Sequence, residues 1–263
     1  NSLYGISAKS QFKHLYSKYT ASDCTYLGRQ FINYAIETFK KEGLIVLYGD
    51  TDSIFVEIPD NKTENEALLV ASKISKYISS SLPFPWEEFD FKLEHRLDKI
   101  FFFNNKKGEL KKKNYIYITD KKKMEIKGLD IIQKDCSKLS TYIFENHLKP
   151  KIIESGKCEF DQLFIESLVR DNIDKDISIV ARRFNIKDDS EYKMENSIYN
   201  HILKMYGPGE VYLIKNKKIG AGKNVKYCSI DESKGLKFND LDLDDIWSEL
   251  SPFIKTDYQE KLF

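Results

Sequence analysis

Two aspartates, Asp50 and Asp52, stand one residue apart in Gly49-Asp50-Thr51-Asp52-Ser53. In extended backbone, residues i and i+2 point to the same side. Two carboxylates on one side of a tight turn make a hard, oxygen-rich site suited to Mg²⁺. Two such ions, about 3.5–4 Å apart, activate an attacking oxygen and steady a leaving one in phosphoryl chemistry. Read alone, Asp50-Thr51-Asp52 is first of all a polar turn. What raises it above one is the apolar sequence on either side, which would present the turn on a rigid base.

A second feature is cationic. Lys106, Lys107, Lys111, Lys112, Lys113, Lys121, Lys122, Lys123 and Lys127 face only Glu109, Asp120 and Glu125 in the same stretch. A local basic patch binds phosphates whatever the net charge. A lysine-rich solvated hairpin is the plainer reading. The stretch from Asp231 to Glu249 is conversely acidic. Gly220-Ala221-Gly222 beside Lys223 lacks the strand–loop–helix setting of a phosphate loop and reads as a turn.

The elements that must hold these groups follow from periodicity. Leu27, Phe31, Tyr34, Ala35 and Phe39 recur at helical spacing, predicting a helix over about Ser22 to Glu42. Thr20 and Asp23 resemble a capping box with a shortened acid, and Gly43 is placed to stop the helix. Leu44 to Tyr48 and Ile54 to Ile58 are short apolar runs around the aspartate turn, which together predict a β-hairpin. Thr63-Glu64-Asn65-Glu66 is a capping box for a second helix, with Val70, Ile74, Tyr77 and Ile78 on its apolar face. Phe89 to Phe103 reads as strand, and Asn114 to Thr119 with Met124 to Lys127 as another hairpin.

Beyond about Gly128 the texture turns helical, with helices predicted near Ile131–Glu154, Asp161–Arg170, Glu195–Tyr206 and Asp244–Phe253. Glu210 to Lys215 reads as a strand. The expected class is α+β: an antiparallel sheet with packed helices, then a mainly helical half, with the boundary near residue 130.

The bulk numbers set limits. The chain has 263 residues, enough for two domains, with 42 lysines and arginines against 41 acids. Net charge therefore argues neither for nor against nucleic acid. Cys24, Cys136, Cys158 and Cys228 are scattered, without zinc-ligand spacing or a disulfide framework. No apolar run reaches transmembrane length, so no membrane partner is expected. A reduced, intracellular setting fits, and a start at Asn1 reads as a fragment, a processed chain or a start after a gap.

Several segments resemble family B DNA polymerases. Tyr48-Gly49-Asp50-Thr51-Asp52-Ser53 is similar to motif C, Tyr-x-Asp-Thr-Asp-Ser. Asn1-Ser2-Leu3-Tyr4-Gly5 is similar to the end of motif B, and Thr25-Tyr26-Leu27-Gly28-Arg29 to a Thr-x-x-Gly-Arg segment between them. Lys112-Lys113-Asn114-Tyr115 resembles the Lys-Lys-Arg-Tyr motif, with Asn114 departing from the basic residue usual there. Lys127-Gly128-Leu129-Asp130 resembles the segment leading into the thumb. These matches follow the family's order and spacing and cover about residues 1–135.

The resemblance implies a palm subdomain over 1–130, with the end of the fingers helix at 1–18, and a mainly helical thumb with a tail over 131–263. It implies two-metal nucleotidyl transfer with Mg²⁺ (Mn²⁺ as substitute), Asp52 as the direct ligand and Asp50 as the second carboxylate. Asn1, Tyr4, Gly5 and Thr51 would lie by the incoming nucleotide. Lys112, Lys113, Tyr115, Arg182 and Arg183 would hold primer–template DNA. Gln259, Leu262 and Phe263 resemble the end of a sliding-clamp peptide, as in archaeal members. Glu94 resembles a family acidic segment, although Arg96 stands where a second acid is usual.

The obligate partner implied is the N-terminal portion carrying the exonuclease, fingers and motif A. The family's split genes and inteins make a separate polypeptide one form of it. Without it, the chain is expected to be inactive, and with it to work in the cytoplasm at the nucleoid. Two rivals remain open: an inactive DNA-binding or scaffolding subunit, and an Asp-x-Asp glycosyltransferase, which would explain the aspartates but not the lysine hairpin.

Overall fold

The computed structural model describes residues 2–82, 89–104, 108–133, 136–188, 198–215 and 227–255. It is an α+β fold with three antiparallel sheets among these residues. Contacts divide it into two compact units, Asn1–Arg96 and Leu97–Phe263. This division falls before the change of texture near residue 130. The physical reason is a shared core: Phe103, Ile116 and Ile118 of the second sheet pack with Leu139, Ile143 and Leu148 of the helices that follow.

The first unit contains α1 (Ser2–Ser7), α2 (Lys18–Lys41), β1 (Ile45–Asp50), β2 (Ser53–Glu57) and α3 (Glu64–Ser81). The start of α2 differs from the sequence expectation. Ser17, not Thr20, is the N-cap, and its hydroxyl accepts the Thr20 N–H at 3.2 Å. Gly43 follows the helix at φ +79°, a left-handed conformation that glycine adopts at no steric cost. At α3 the expected capping box is present: Thr63 accepts from Glu66 N–H, and Glu66 accepts from Thr63 N–H at 2.7 Å.

Val46, Ile54 and Val56 of the hairpin pack with Ala35 and Phe39 of α2 and with Val70, Ile74 and Ile78 of α3. Ile74 and Ile78 are fully buried. Burying a side chain of that size contributes about 1.5–3 kcal/mol. Phe89 to Arg96 is not strand. Instead the Phe89 and Phe91 N–H groups donate to the Ser79 and Ser75 hydroxyls, and both rings pack into the α2–α3 core. Arg96 forms a two-pronged ion pair with Glu64.

The second unit contains β3 (Leu97–Asn104), β4 (Leu110–Thr119) and β5 (Met124–Lys127), in that order across one sheet. The single helix expected over Ile131–Glu154 starts later, at Lys138, and runs through one π-helical turn to Ser155, where Gly156 ends it. A 3₁₀ turn, Asp130–Ile132, precedes α4 (Lys138–Ile143), capped by Ser137, and a wide turn at Phe144–Leu148 joins it to α5 (Lys149–Ser155). Next come α6 (Gln162–Lys175), capped by Asp161, then β6 (Arg182–Ile186), α7 (Ile198–Tyr206), β7 (Gly209–Lys215), β8 (Tyr227–Ser229) and α8 (Asp244–Leu250). Strand β7 is the strand expected over Glu210–Lys215, while β6 and β8, which complete a sheet with it, were not anticipated.

Candidate active site and nucleic-acid interface

Asp50 pairs with Ser53 across the hairpin, leaving Thr51 and Asp52 as a two-residue loop. Such loops favour positive φ at the first position, and Thr51 adopts φ +54°. The Asp52 N–H donates to the Asp50 carbonyl at 2.6 Å. Asp50 is therefore the last residue of a strand and Asp52 is in the loop. Any common direction of the two carboxylates comes from this turn and not from strand pleat.

The Thr51 hydroxyl donates to Asp50 Oδ1 at 3.1 Å. Asp50 is half-buried and Asp52 is exposed. Among the described residues, no lysine or arginine forms an ion pair with Asp52.

Two features fix the tip on its base. Tyr48 stacks on Phe55 with ring centroids 6.3 Å apart. Gly49 faces Ile36 of α2, where an added Cβ would meet the Ile36 Cδ1 at 3.0 Å. Sequence reasoning used Gly49 only as turn chemistry. A glycine inside an apolar strand was the available signal of close approach.

As oxygen donors, the two carboxylates suit Mg²⁺, which takes about six oxygens. Among the described residues, no group of three or more acids, histidines or cysteines gathers to complete a metal site. Two carboxylates alone do not fill a six-oxygen shell, so any ion held here would take its remaining oxygens from water, a phosphate or another carboxylate. Tyr4 and Gly5 lie on α1 in the same unit, Tyr4 with an exposed ring and its carbonyl accepting the Ser7 hydroxyl. Asn1, Lys106, Lys107, Gly220-Ala221-Gly222, Lys223, Gln259, Leu262 and Phe263 lie outside the described residues.

In the second unit, Lys111, Lys112 and Lys113 are exposed on β4, while Asn114 and Tyr115 are buried. Tyr115 stacks with Tyr117 and meets the edge of Phe102. In the following turn, Lys122 pairs with Asp98 and Lys123 with Glu125. Among the described residues, Lys111 and Lys112 form no ion pair, so their charge faces solvent.

Arg182 and Arg183 are on strand β6, not on a helix. Arg182 bonds Glu249 at 3.0 Å and lies 3.3 Å from Asp245, both on α8. Glu249 is buried and also accepts the Ser137 N–H. Lys215 completes the cluster against Asp245. Burial is the largest single influence and works against the Lys215 charge, but the bond to Asp245 together with the electrostatic pull of Tyr227, Asp245 and Asp242 outweighs it and raises its pKa. Burial pushes the neighbouring Cys136 thiol up to about 11 and the deeper Cys158 to about 12, which leaves both poor nucleophiles. Arg183 points a mostly exposed guanidinium at Glu210, whose carboxyl is held low by Tyr212 and then by Arg183.

The sequence model described as DNA polymerase family B matches residues 1–240. The chain belongs to this family. This family B chain is 26% identical over 254 residues to a DNA polymerase of Methanocaldococcus jannaschii, covering 94% of the chain and 14% of that protein. It is 28% identical to DNA polymerase 1 of Saccharolobus solfataricus over 76% of the chain and 19% of that protein. It is 26% identical to the DNA polymerase delta catalytic subunit of Schizosaccharomyces pombe over 90% of the chain and 22% of that protein.

The family B DNA polymerase of Pyrobaculum calidifontis shares the fold, with a TM-score of 0.52 at 19% identity over 95% of the chain and 31% of that structure. The chain thus spans less than a third of these relatives' length. Family membership leaves the glycosyltransferase reading of Asp50-Thr51-Asp52 without support. No described helix is long and apolar enough to cross a membrane.

Proposed function

We propose that this chain supplies the motif C hairpin, palm strands and thumb of a DNA-directed DNA polymerase that extends a primer on a DNA template. Its main support is the hairpin tip that carries Asp50 at the end of β1 and Asp52 in the two-residue loop, seated on α2 by Gly49, in a chain of this family. Asp52 holds a divalent metal directly and Asp50 is the second carboxylate. When bound, two Mg²⁺ ions, or Mn²⁺ in their place, supply Lewis-acid stabilisation at the transferring phosphate. The Thr51 hydroxyl keeps the Asp50 carboxylate oriented. Thr51, with Tyr4, Gly5 and Asn1, lies by the incoming deoxynucleoside triphosphate.

Residues 1–130 act as palm, with the end of the fingers helix at 1–18, and residues 131–263 as thumb and tail. Lys112 and Lys113 meet duplex phosphates without demanding a base, over the buried support of Tyr115. Of the two arginines, Arg183 carries the DNA-facing role, because Arg182 is held between Glu249 and Asp245.

The partner is the polymerase portion with motif A, fingers and exonuclease, without which the chain is inactive. Gln259, Leu262 and Phe263 extend the partners to a sliding clamp. The enzyme works inside the cell, in replication at the nucleoid. Primer extension with Mg²⁺ and four deoxynucleotides tests this, using the chain alone, with that portion, and with that portion after Asp52→Ala. Synthesis in the unmutated pair alone is expected. Synthesis that survives Asp52→Ala overturns the metal assignment. Duplex binding without synthesis in any mixture favours a scaffolding subunit instead.

A further inference from the structure

The lysines of β4 sit in a break in the sheet. On one side, Leu110 pairs with Asn104 and Tyr115 with Phe102, so residues 111–114 of β4 oppose Phe103 alone on β3. On the other side, pairing with β5 stops at Tyr115–Lys127. The backbone bulges here, and Lys113 takes a left-handed φ of +64°. A non-glycine residue in that region is strained and persists only when its surroundings impose it.

What lies against it is Gly128, itself at φ +69°. A Cβ on Gly128 would stand 2.2 Å from the Lys113 carbonyl oxygen and 2.9 Å from the Asn114 Oδ1. The first of these is backbone, which cannot swing aside as the end of a side chain can. The close approach therefore needs a bare Cα. Asn114, 5% exposed, is buried beneath the same bulge.

We infer that Gly128 is a positioning residue for duplex binding. Its missing side chain lets the end of β5 close on the Lys113 carbonyl, which holds the bulge that keeps Lys112 and Lys113 together at the surface. The lysines supply charge and the glycine supplies their placement. This rests on the reading that Lys112 and Lys113 contact duplex phosphates.

The test measures binding of the full chain to a fluorescent primer–template duplex by anisotropy, at salt concentrations from 50 to 200 mM. Each lost phosphate contact lowers the slope of log affinity against log salt by about one. Lys112→Ala with Lys113→Ala is expected to lower it by about two. Gly128→Ala is expected to lower it by one to two with both lysines present, and to add nothing when both are absent. A folded Gly128→Ala chain with an unchanged slope overturns the inference and leaves the lysine reading intact. An unchanged slope in the double lysine variant sinks the lysine reading, and this inference with it.

If Gly128→Ala does not fold, the bulge is read at Lys113. Glycine is at home at φ +64° and alanine is not. Lys113→Gly should then melt about 2 °C above Lys113→Ala, both lacking the charge. A Lys113→Gly chain that melts below Lys113→Ala overturns the inference.

Discussion

Two pairs of acids on this chain make an instructive contrast. Asp50 and Asp52 lie at the tip of a hairpin, and Asp245 and Glu249 one turn apart on α8. In the sequence both are close-spaced carboxylates. In the fold, the second pair is closed by the chain's own cations: Arg182 reaches both acids, Lys215 reaches Asp245, and Ser137 N–H reaches Glu249. The first pair has Thr51 as a hydroxyl partner for Asp50 and no cation on Asp52 among the described residues. A carboxylate the fold has neutralised is structural. One held out on a rigid base, as Asp52 is, is where the proposed metal would bind.

The largest effect that would break this contrast is catalytic. In a mixture with the missing polymerase portion, Asp52→Ala should lower single-turnover primer extension by on the order of a thousandfold or more. That follows from losing several kcal/mol of Lewis-acid stabilisation, at about 1.4 kcal/mol per tenfold. The melting temperature of the chain should stay where it was, because no described ion pair is lost. A large drop in melting temperature with activity kept would reverse the assignment.

The opposite pattern is expected at Glu249. Glu249→Ala strips a buried partner from Arg182 and from Ser137 N–H, and should destabilise the fold by about 2–3 kcal/mol in urea titration. Glu249→Gln keeps an acceptor for Ser137 and should lose about half as much. If Glu249→Ala unfolds at the wild-type urea midpoint, the cluster does not hold α8 to the sheet.

What was legible in the sequence divides along similar lines. The β1–β2 hairpin could be read because its signals are local: two apolar runs, a glycine and a polar pair. Thr63 could be read because a capping box is complete within four residues. Of the third sheet only β7 could be read, since its pairings, Arg182 with Leu213 and Ile214 with Cys228, cross long intervals of chain. Phe89 and Phe91 alternate like a strand, but their backbone N–H groups go to serine hydroxyls on α3. At the candidate site, the aspartates were visible by type. The Gly49 seat on Ile36 and the closure over Arg182 were not, because each depends on a residue distant in sequence.

Glu66 sharpens the contrast as a surface acid whose partners are all local. Hydrogen bonds from the Thr63 hydroxyl, then from the Thr63 N–H, hold its carboxyl below the ordinary value of 4.5. A depressed folded pKa gives stability that is present above the unfolded value and lost as pH falls through the folded one. Thr63→Ala should cost about 1 kcal/mol at neutral pH, as a lost N-cap does. The gap in melting temperature between wild type and Thr63→Ala should narrow below pH 4.5 and level off once Glu66 is protonated. A gap that stays constant from neutral to acid pH would show that the hydroxyl caps the helix without engaging the carboxylate.

The smallest effect applies the same contrast to cations. Arg182 and Arg183 are neighbours on β6, yet Arg182 is engaged by α8 and Arg183 faces one exposed acid. A guanidinium exchanging one surface carboxylate for a phosphate gives up little, since exposed ion pairs contribute little. Arg183→Ala should therefore lower the salt slope of duplex binding by about one at unchanged melting temperature. Arg182→Ala should lower the melting temperature and leave the slope unchanged, because its charge was already matched within the fold. Equal slopes for both variants and wild type would remove β6 from the DNA-binding surface. A lowered slope for Arg182→Ala would mean that DNA competes with Glu249 and Asp245 for it, so that the cluster opens when duplex binds.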